Sequence, residues 1–235
     1  MPGNKKPDDA AARKQGSGFR RNRREGIGSP LQRERIISTA LALVDRDGLN
    51  ALSMRRLGAE LGVDPMAVYY HIPSKHALLH AIVEAVMASI DLSVDRPADP
   101  PEERVLCAAH AYMDAMLAHA NTLPILLSHG PSTPAALRPV ELLTGILRDA
   151  GLPPAQAFSG MNAIAAAVRG FAGILASREK IPCREETEAM VWNFPAAEFP
   201  HLREAMPFVF QSADRGFEFG IRALARGLLG EARRE

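Results

Sequence analysis

Between residues 48 and 75 the chain carries several helix start and stop signals in close succession, and this punctuation restricts its fold more than any other feature. From Leu31 onward the apolar residues Ile36, Ile37, Ala40, Leu41, Leu43 and Val44 recur at three- and four-residue steps until Gly48, a usual left-handed terminator. Ser53 can cap a short helix over Met54 to Leu61, which Gly62 closes. Asp64 can cap the next helix, and Pro65 suits its first turn because the missing amide would be unpaired there anyway. That helix ends at His71, since Ile72 precedes Pro73 and the residue before proline disfavours helical geometry. Ser74 then caps a fourth helix reaching about Leu92.

Residues 53–71 thus have the spacing of a helix-turn-helix, in which a second short helix can lie in a major groove. Many helical hairpins share that spacing, so the side chains matter. Met66, Ala67, Tyr69, Tyr70 and His71 crowd onto a helix too short to bury them all. Tyrosine hydroxyls and a histidine can hydrogen-bond phosphates, while Ala and Met can touch thymine methyl groups. Val68 reads as ordinary core, and Arg55, Arg56 and Lys75 would bracket the groove as phosphate contacts.

The run Leu52-Ser53-Met54-Arg55-Arg56-Leu57-Gly58-Ala59-Glu60-Leu61-Gly62-Val63, then Val68-Tyr69-Tyr70-His71-Ile72-Pro73-Ser74-Lys75 and Ala77-Leu78-Leu79, closely resembles the tetracycline-repressor family. The resemblance covers roughly residues 31–92. It implies an all-helical homodimer with an N-terminal DNA reader and a C-terminal effector and dimerisation domain. Carried over by position, Ser53, Arg55, Pro65, Met66, Ala67, Tyr69, Tyr70, His71 and Lys75 fall where that family touches DNA. Pro65 and Ala67 stand where the tetracycline repressor uses polar base-reading side chains, so readout should lean on apolar contacts and tyrosines. The C-terminal helix layout matches the tetracycline-repressor branch. The resemblance does not place the drug- and magnesium-coordinating residues of that repressor on this sequence residue by residue, so tetracycline is not the expected ligand.

The rest of the chain also reads as helical, with helices near 102–120, 122–128, 134–149, 154–180 and 212–229, and an irregular proline-punctuated stretch between 181 and 210. No alternating strand pattern or internal repeat is visible, so the class is all-α. The division expected is an arm over 1–28, a helix-turn-helix domain over 29–76 and an effector and dimerisation domain over 77–235. With 235 residues, 47% of them apolar, the chain can bury a substantial core.

Net charge is +1, but residues 1–26 hold eight Lys/Arg against three Asp/Glu, a local +5 that leaves −4 for the remainder. Such a basic arm is either a solvated leader or a polyanion-binding tail. Arg20, Arg21, Arg23 and Arg24, just ahead of the first helix, are candidates for minor-groove contacts. The apolar stretch Met161 to Ser177 is interrupted by Arg169 and shorter than the roughly 20 residues that cross a bilayer, so no membrane partner is expected. Two cysteines, Cys107 and Cys183, are too few for a disulfide or zinc framework, and no signal peptide is evident; a reducing cytoplasm fits best.

His76, His80 and Glu84 repeat at four-residue steps, which is metal-ligand geometry, but a polar stripe beside Leu78 and Ile82 is the plainer reading. Cys107, His110 and Asp114 share a helix face as a nucleophile, base and orienter would, yet no oxyanion or metal partner accompanies them. A pocket-lining or core role is preferred. No enzyme, metal or cofactor is therefore expected. A helical enzyme or ligand carrier with an incidental helix-turn-helix is the alternative function.

Small residues line one face of the last helix (Gly216, Gly220, Ala223, Gly227) and recur in the helix near 154–180 (Gly160, Ala163, Ala167, Gly170). Glycine inside a helix costs roughly 1 kcal/mol relative to alanine, and close approach of a second helix compensates. These two helices are expected to pair with their two-fold mates. Met113, Met116, Phe158, Met161, Phe171, Met190 and Trp192, with His110 as a polar anchor, are candidates to line a cavity for a small apolar effector. The expected whole is a ligand-responsive regulator, most simply a repressor released from a palindromic double-stranded operator.

Overall fold

The computed structural model describes residues 31–177, 184–208 and 213–232. Arg20, Arg21, Arg23 and Arg24 lie outside these, as does Cys183. Among the described residues there are eleven α-helices and no strand: α1 Arg33–Asp47, α2 Met54–Leu61, α3 Pro65–His71, α4 Lys75–Ala88, α5 Pro101–Ala118, α6 Leu123–Leu126, α7 Pro134–Asp149, α8 Pro154–Ala176, α9 Arg184–Trp192, α10 Pro200–Ala205 and α11 Ala213–Glu231.

The caps read from the sequence are the caps that form. The Ser53 hydroxyl accepts from the Arg56 amide at 3.2 Å, Asp64 from Met66 at 2.8 Å, and Ser74 from Ala77 at 3.0 Å. Gly62 closes α2 in the left-handed conformation at φ 70°. Ile36, Ala40, Leu43 and Val44 of α1 are buried with Leu57 of α2 and Val68 of α3, and α4 packs on α1. Arg46 of α1 pairs with Glu60 of α2 at 3.0 Å, and Arg56 of α2 pairs with Asp47 of α1.

Beyond this head, α5, α7, α8 and α11 form the body, and α4 runs from one to the other by packing on α7. Arg222 and Arg226 of α11 pair with Glu102 and Glu103 at the start of α5. Arg104 is buried between Asp95 and Asp149, and its guanidinium holds the Asp95 carboxyl below the ordinary aspartate range.

Two expectations change. The stretch between 181 and 210 contains α9, α10 and a 3-10 turn, Met206–Phe208, rather than irregular chain throughout. Pro200, one of the prolines that punctuate this stretch, is the first residue of α10, where its missing amide is harmless. The fourth helix stops at Ala88, and Leu92–Val94 is a separate 3-10 turn capped by Asp91.

By length and composition alone the segments Lys75–Val94 and Pro154–Ala176 are apolar enough to cross a membrane. Both pack within the helical body, α4 on α7 and α8 on α5, α7 and α11.

Candidate functional site

On α3 only Val68 is fully buried, and it anchors the helix. Its neighbours point away from the core: Tyr70 is 88% exposed, Met66 71% and Tyr69 41%. Apolar and aromatic surface of this size on a seven-residue helix is unusual for a side with nothing to bind. Pro65, Ala67 and His71 are partly exposed along the same helix, and the His71 ring meets Tyr70 edge-on at 5.3 Å. Ser53, Arg55 and Lys75 are exposed around it. Among the described residues neither Arg55 nor Lys75 forms an ion pair, whereas Arg56 is committed to Asp47.

The attitude of α3 depends on a residue that sequence reasoning passed over. A Cβ on Gly58 would lie 3.0 Å from the Val63 carbonyl oxygen and 3.2 Å from the Pro65 nitrogen. Only glycine lets α2 approach the turn so closely, and the Val63 amide donates to the Gly58 carbonyl at 2.9 Å across that approach. The signal was a glycine inside a helix whose neighbours otherwise favour helix.

The body contains a cavity of about 470 Å³, within the range of small-molecule sites. It lies among α4, α5, α7, α8 and the segment 126–131. Phe158 and Met161 line it as expected residues, on the α8 face that also supplies Asn162, Ala165 and Arg169. The other candidates are elsewhere. Met113 and Met116 are buried core, and Phe171 stacks edge-on with Phe217 of α11 at 5.4 Å. Met190 and Trp192 are half exposed on α9, where Arg203 lies over the indole. His110 packs on Phe217 and lines a different hollow with Cys107 and Asp114. The cavity exists because α5 presents Ala108, Ala109 and Ala111 to it: small side chains leave the space.

Glu84 of the histidine stripe caps α7. Burial opposes its charge, but hydrogen bonds from the Thr133 hydroxyl, the Ser132 and Thr133 amides and the Ser132 hydroxyl hold its carboxyl below the usual glutamate range. His76 leans on His129 with ring centroids 5.1 Å apart, and His80 lies 3.7 Å from Glu84. Among the described residues no three His, Cys, Asp or Glu side chains converge as a metal site.

Head and body also meet directly. Asn121, in the turn after α5, donates to the Val44 and Asp45 carbonyls at 3.2 and 3.0 Å and so tethers the end of α1, where the Val44 carbonyl also accepts from the Gly48 amide at 2.8 Å. His119 beside it is 2.8 Å from the Asp45 carboxylate.

Of the small residues, Ala163 and Gly170 on α8 and Gly216, Ala223 and Gly227 on α11 are exposed, accompanied by Ile174 and Phe219 at 57% and 78% exposure. Ala167 is partly exposed. Gly160 and Gly220 serve the crossing of α8 and α11 within the chain, where added methyl groups would meet Leu228 and Phe171 respectively.

Known proteins share this arrangement. The family model for bacterial regulatory proteins of the tetR family matches residues 36–82, and that for the tetracyclin repressor-like C-terminal domain matches residues 96–231. The class C tetracycline repressor protein of Escherichia coli is 30% identical over 201 residues, covering 84% of this chain and 90% of that protein. The crystal structure of apo ActR from Streptomyces coelicolor superposes with a TM-score of 0.80 at 28% identity, covering 88% of this chain and 99% of that one. ActR in complex with actinorhodin superposes at 0.78, with 28% identity and 87% and 99% coverage.

Proposed function

We propose, from the premise that the chain belongs to the tetR family of bacterial transcriptional regulators, that it is a homodimeric repressor that leaves a palindromic operator when a small molecule fills its cavity. The observation that carries this reading is α3: a rigidly held helix with Met66, Tyr69 and Tyr70 outward and two uncommitted cations, Arg55 and Lys75, beside it. Residues 29–76 serve as reader, with Ser53, Pro65, Ala67 and His71 completing the contact surface, and residues 77–235 as effector and dimerisation domain. Arg20, Arg21, Arg23 and Arg24 add contacts in the minor groove.

Dimerisation uses the exposed faces of α8 and α11, where Ala163, Gly170, Gly216, Ala223 and Gly227 permit close approach and Ile174 and Phe219 supply apolar area. ActR has been crystallised with actinorhodin, which supports a small-molecule effector for this chain, and the cavity in the body is the place proposed for it. Lys75 begins α4, and Val83 and Met87 of the same helix line the cavity, so a ligand that displaces this helix moves the head. Half-sites lie about 34–36 Å apart, and two heads held at another separation cannot both engage. A hundredfold release requires the ligand to prefer the released state by about 2.7 kcal/mol.

The test is linkage. A ligand found by thermal shift is titrated into the protein with and without a duplex selected for binding; the duplex must weaken the ligand by the factor by which the ligand weakens the duplex. Equal ligand affinity in both titrations defeats the release mechanism.

A further inference from the structure

Arg169 lies on α8 at the wall of the cavity, among side chains that are otherwise mostly aliphatic. Its Nη1 donates to the Tyr112 hydroxyl at 3.1 Å in a part-buried hydrogen bond, and Tyr112 is itself 9% exposed. Among the described residues no carboxylate pairs with Arg169. The one carboxylate on the same wall, Asp91, instead accepts from the Ser93 amide and hydroxyl at 2.9 and 2.7 Å. The other arginines of the body with acidic neighbours, Arg104, Arg222 and Arg226, are all matched by them. Arg169 is partly buried; a guanidinium partly withdrawn from water without a counter-charge is unfavourable, and one hydroxyl engages only one of its five N–H groups. The Tyr112 hydroxyl, having accepted from Arg169, still has its own proton to donate. Two donors of fixed relative position therefore meet at one side of an apolar chamber.

We propose that the effector of this cavity is an apolar organic acid, its carboxylate seated against the Arg169 guanidinium and the Tyr112 hydroxyl and its hydrocarbon part held by the aliphatic walls. This rests on the effector reading of the cavity, and it deepens that reading by assigning a charge and a contact to the ligand. Arg169 supplies planar, two-pronged recognition of the carboxylate, and Tyr112 fixes the fork by accepting from it. Asn162, about two helical turns away on the same face, donates its amide nitrogen to the Phe158 carbonyl at 3.1 Å.

The probes are anthracene carboxylic acid and its uncharged carboxamide, nearly equal in shape, each titrated by fluorescence into the DNA-free protein at neutral pH. The acid is expected to bind about tenfold or more tightly than the amide, the scale of one charge-assisted hydrogen-bonded contact. In Arg169→Met the preference falls to about twofold or less because the acid loses far more affinity than the amide, whose carbonyl forfeits only a weaker hydrogen bond; Arg169→Lys, which keeps the charge without the fork, retains an intermediate preference. Tyr112→Phe narrows the preference as well. Thermal unfolding of each variant confirms that the body is intact, and amide binding retained within a few-fold shows that the chamber is. Equal binding of acid and amide by the unmodified protein, a preference that survives Arg169→Met, or binding of neither probe overturns the proposal. None of these results bears on whether α3 reads DNA, which is measured separately with duplex alone.

Discussion

Replacing Gly58 with alanine should destabilise the protein, although alanine is the better helix former. In an open helix interior the exchange gains about 1 kcal/mol. At Gly58 the new Cβ would meet the Val63 oxygen at 3.0 Å, the Pro65 nitrogen at 3.2 Å and the Pro65 Cα at 3.3 Å. All three are backbone atoms of the turn, and the turn is pinned by the hydrogen bond from Val63 to Gly58 itself. Overpacking against a rigid neighbour costs about 1–3 kcal/mol, and without a side chain able to rotate away the upper half of that range applies. The net is a loss of about 1–2 kcal/mol, which lowers Tm by roughly 2–8 °C for a chain of this size. Gly145 on α7 is the internal control, because nothing lies within 4 Å of its Cβ position and Gly145→Ala should raise Tm by a few degrees at most. Thermal unfolding followed by circular dichroism reads both. Gly58→Ala should also weaken duplex binding, since relief of the contact tilts α3. If Gly58→Ala raised Tm as Gly145→Ala does, the close approach of α2 to the turn would be wrong.

Gly227→Leu and Ala163→Leu should yield monomers in sedimentation, whereas Gly220→Leu should lower Tm through its clash with Phe171; a dimer unaffected by the first two refutes the α8–α11 interface. Glu84 and Asp95 have depressed carboxyl pKa values, so their stabilisation is complete above the unfolded value of about 4 and is lost as pH falls through the lower folded value. Glu84→Gln should therefore flatten the acid limb of stability against pH, and an unchanged limb would show that the α7 cap contributes nothing. His119→Ala, which removes the contact to Asp45, should leave duplex affinity nearly as it was but shrink the effect of a cavity ligand on that affinity. Full ligand release in that variant would route the coupling through α4 alone.

The head was legible because its helices are bounded by residues whose effect is local. Ser53, Gly62, Asp64-Pro65 and Ser74 act within one turn of chain, and α2 and α3 begin and end where those residues put them. Between 181 and 210 the prolines mislead, because proline both ends and begins helices and only the surroundings decide which, as at Pro200, the first residue of α10. The cavity was the hardest part. Bulky side chains in the sequence suggest its lining, yet Met113, Met116 and Phe171 fill space, and it is Ala108, Ala109 and Ala111 that leave it. Which side of a helix such alanines face depends on helix packing over long sequence separations, and no local pattern records it. In the sequence Arg169 is only an interruption of an apolar run, although a cation in such a run is what an acidic ligand would need. The glycines of α8 and α11 divide between contacts within the chain and exposed faces, a distinction that spacing alone does not make.

The most direct measurement is selection of bound duplexes from a random pool, carried out in parallel with the unmodified protein and with Tyr70→Ala and Lys75→Ala. The account predicts one enriched two-fold symmetric motif for the unmodified protein, with half-sites about one helical turn apart. On the recovered duplex each variant should bind at least tenfold more weakly, at about 1–3 kcal/mol for each lost contact in each of two heads, and Lys75→Ala should also flatten the salt slope. No enriched sequence, or the same motif recovered with equal affinity by both variants, would contradict the assignment of α3 as the reading helix and with it the account of this protein as a repressor.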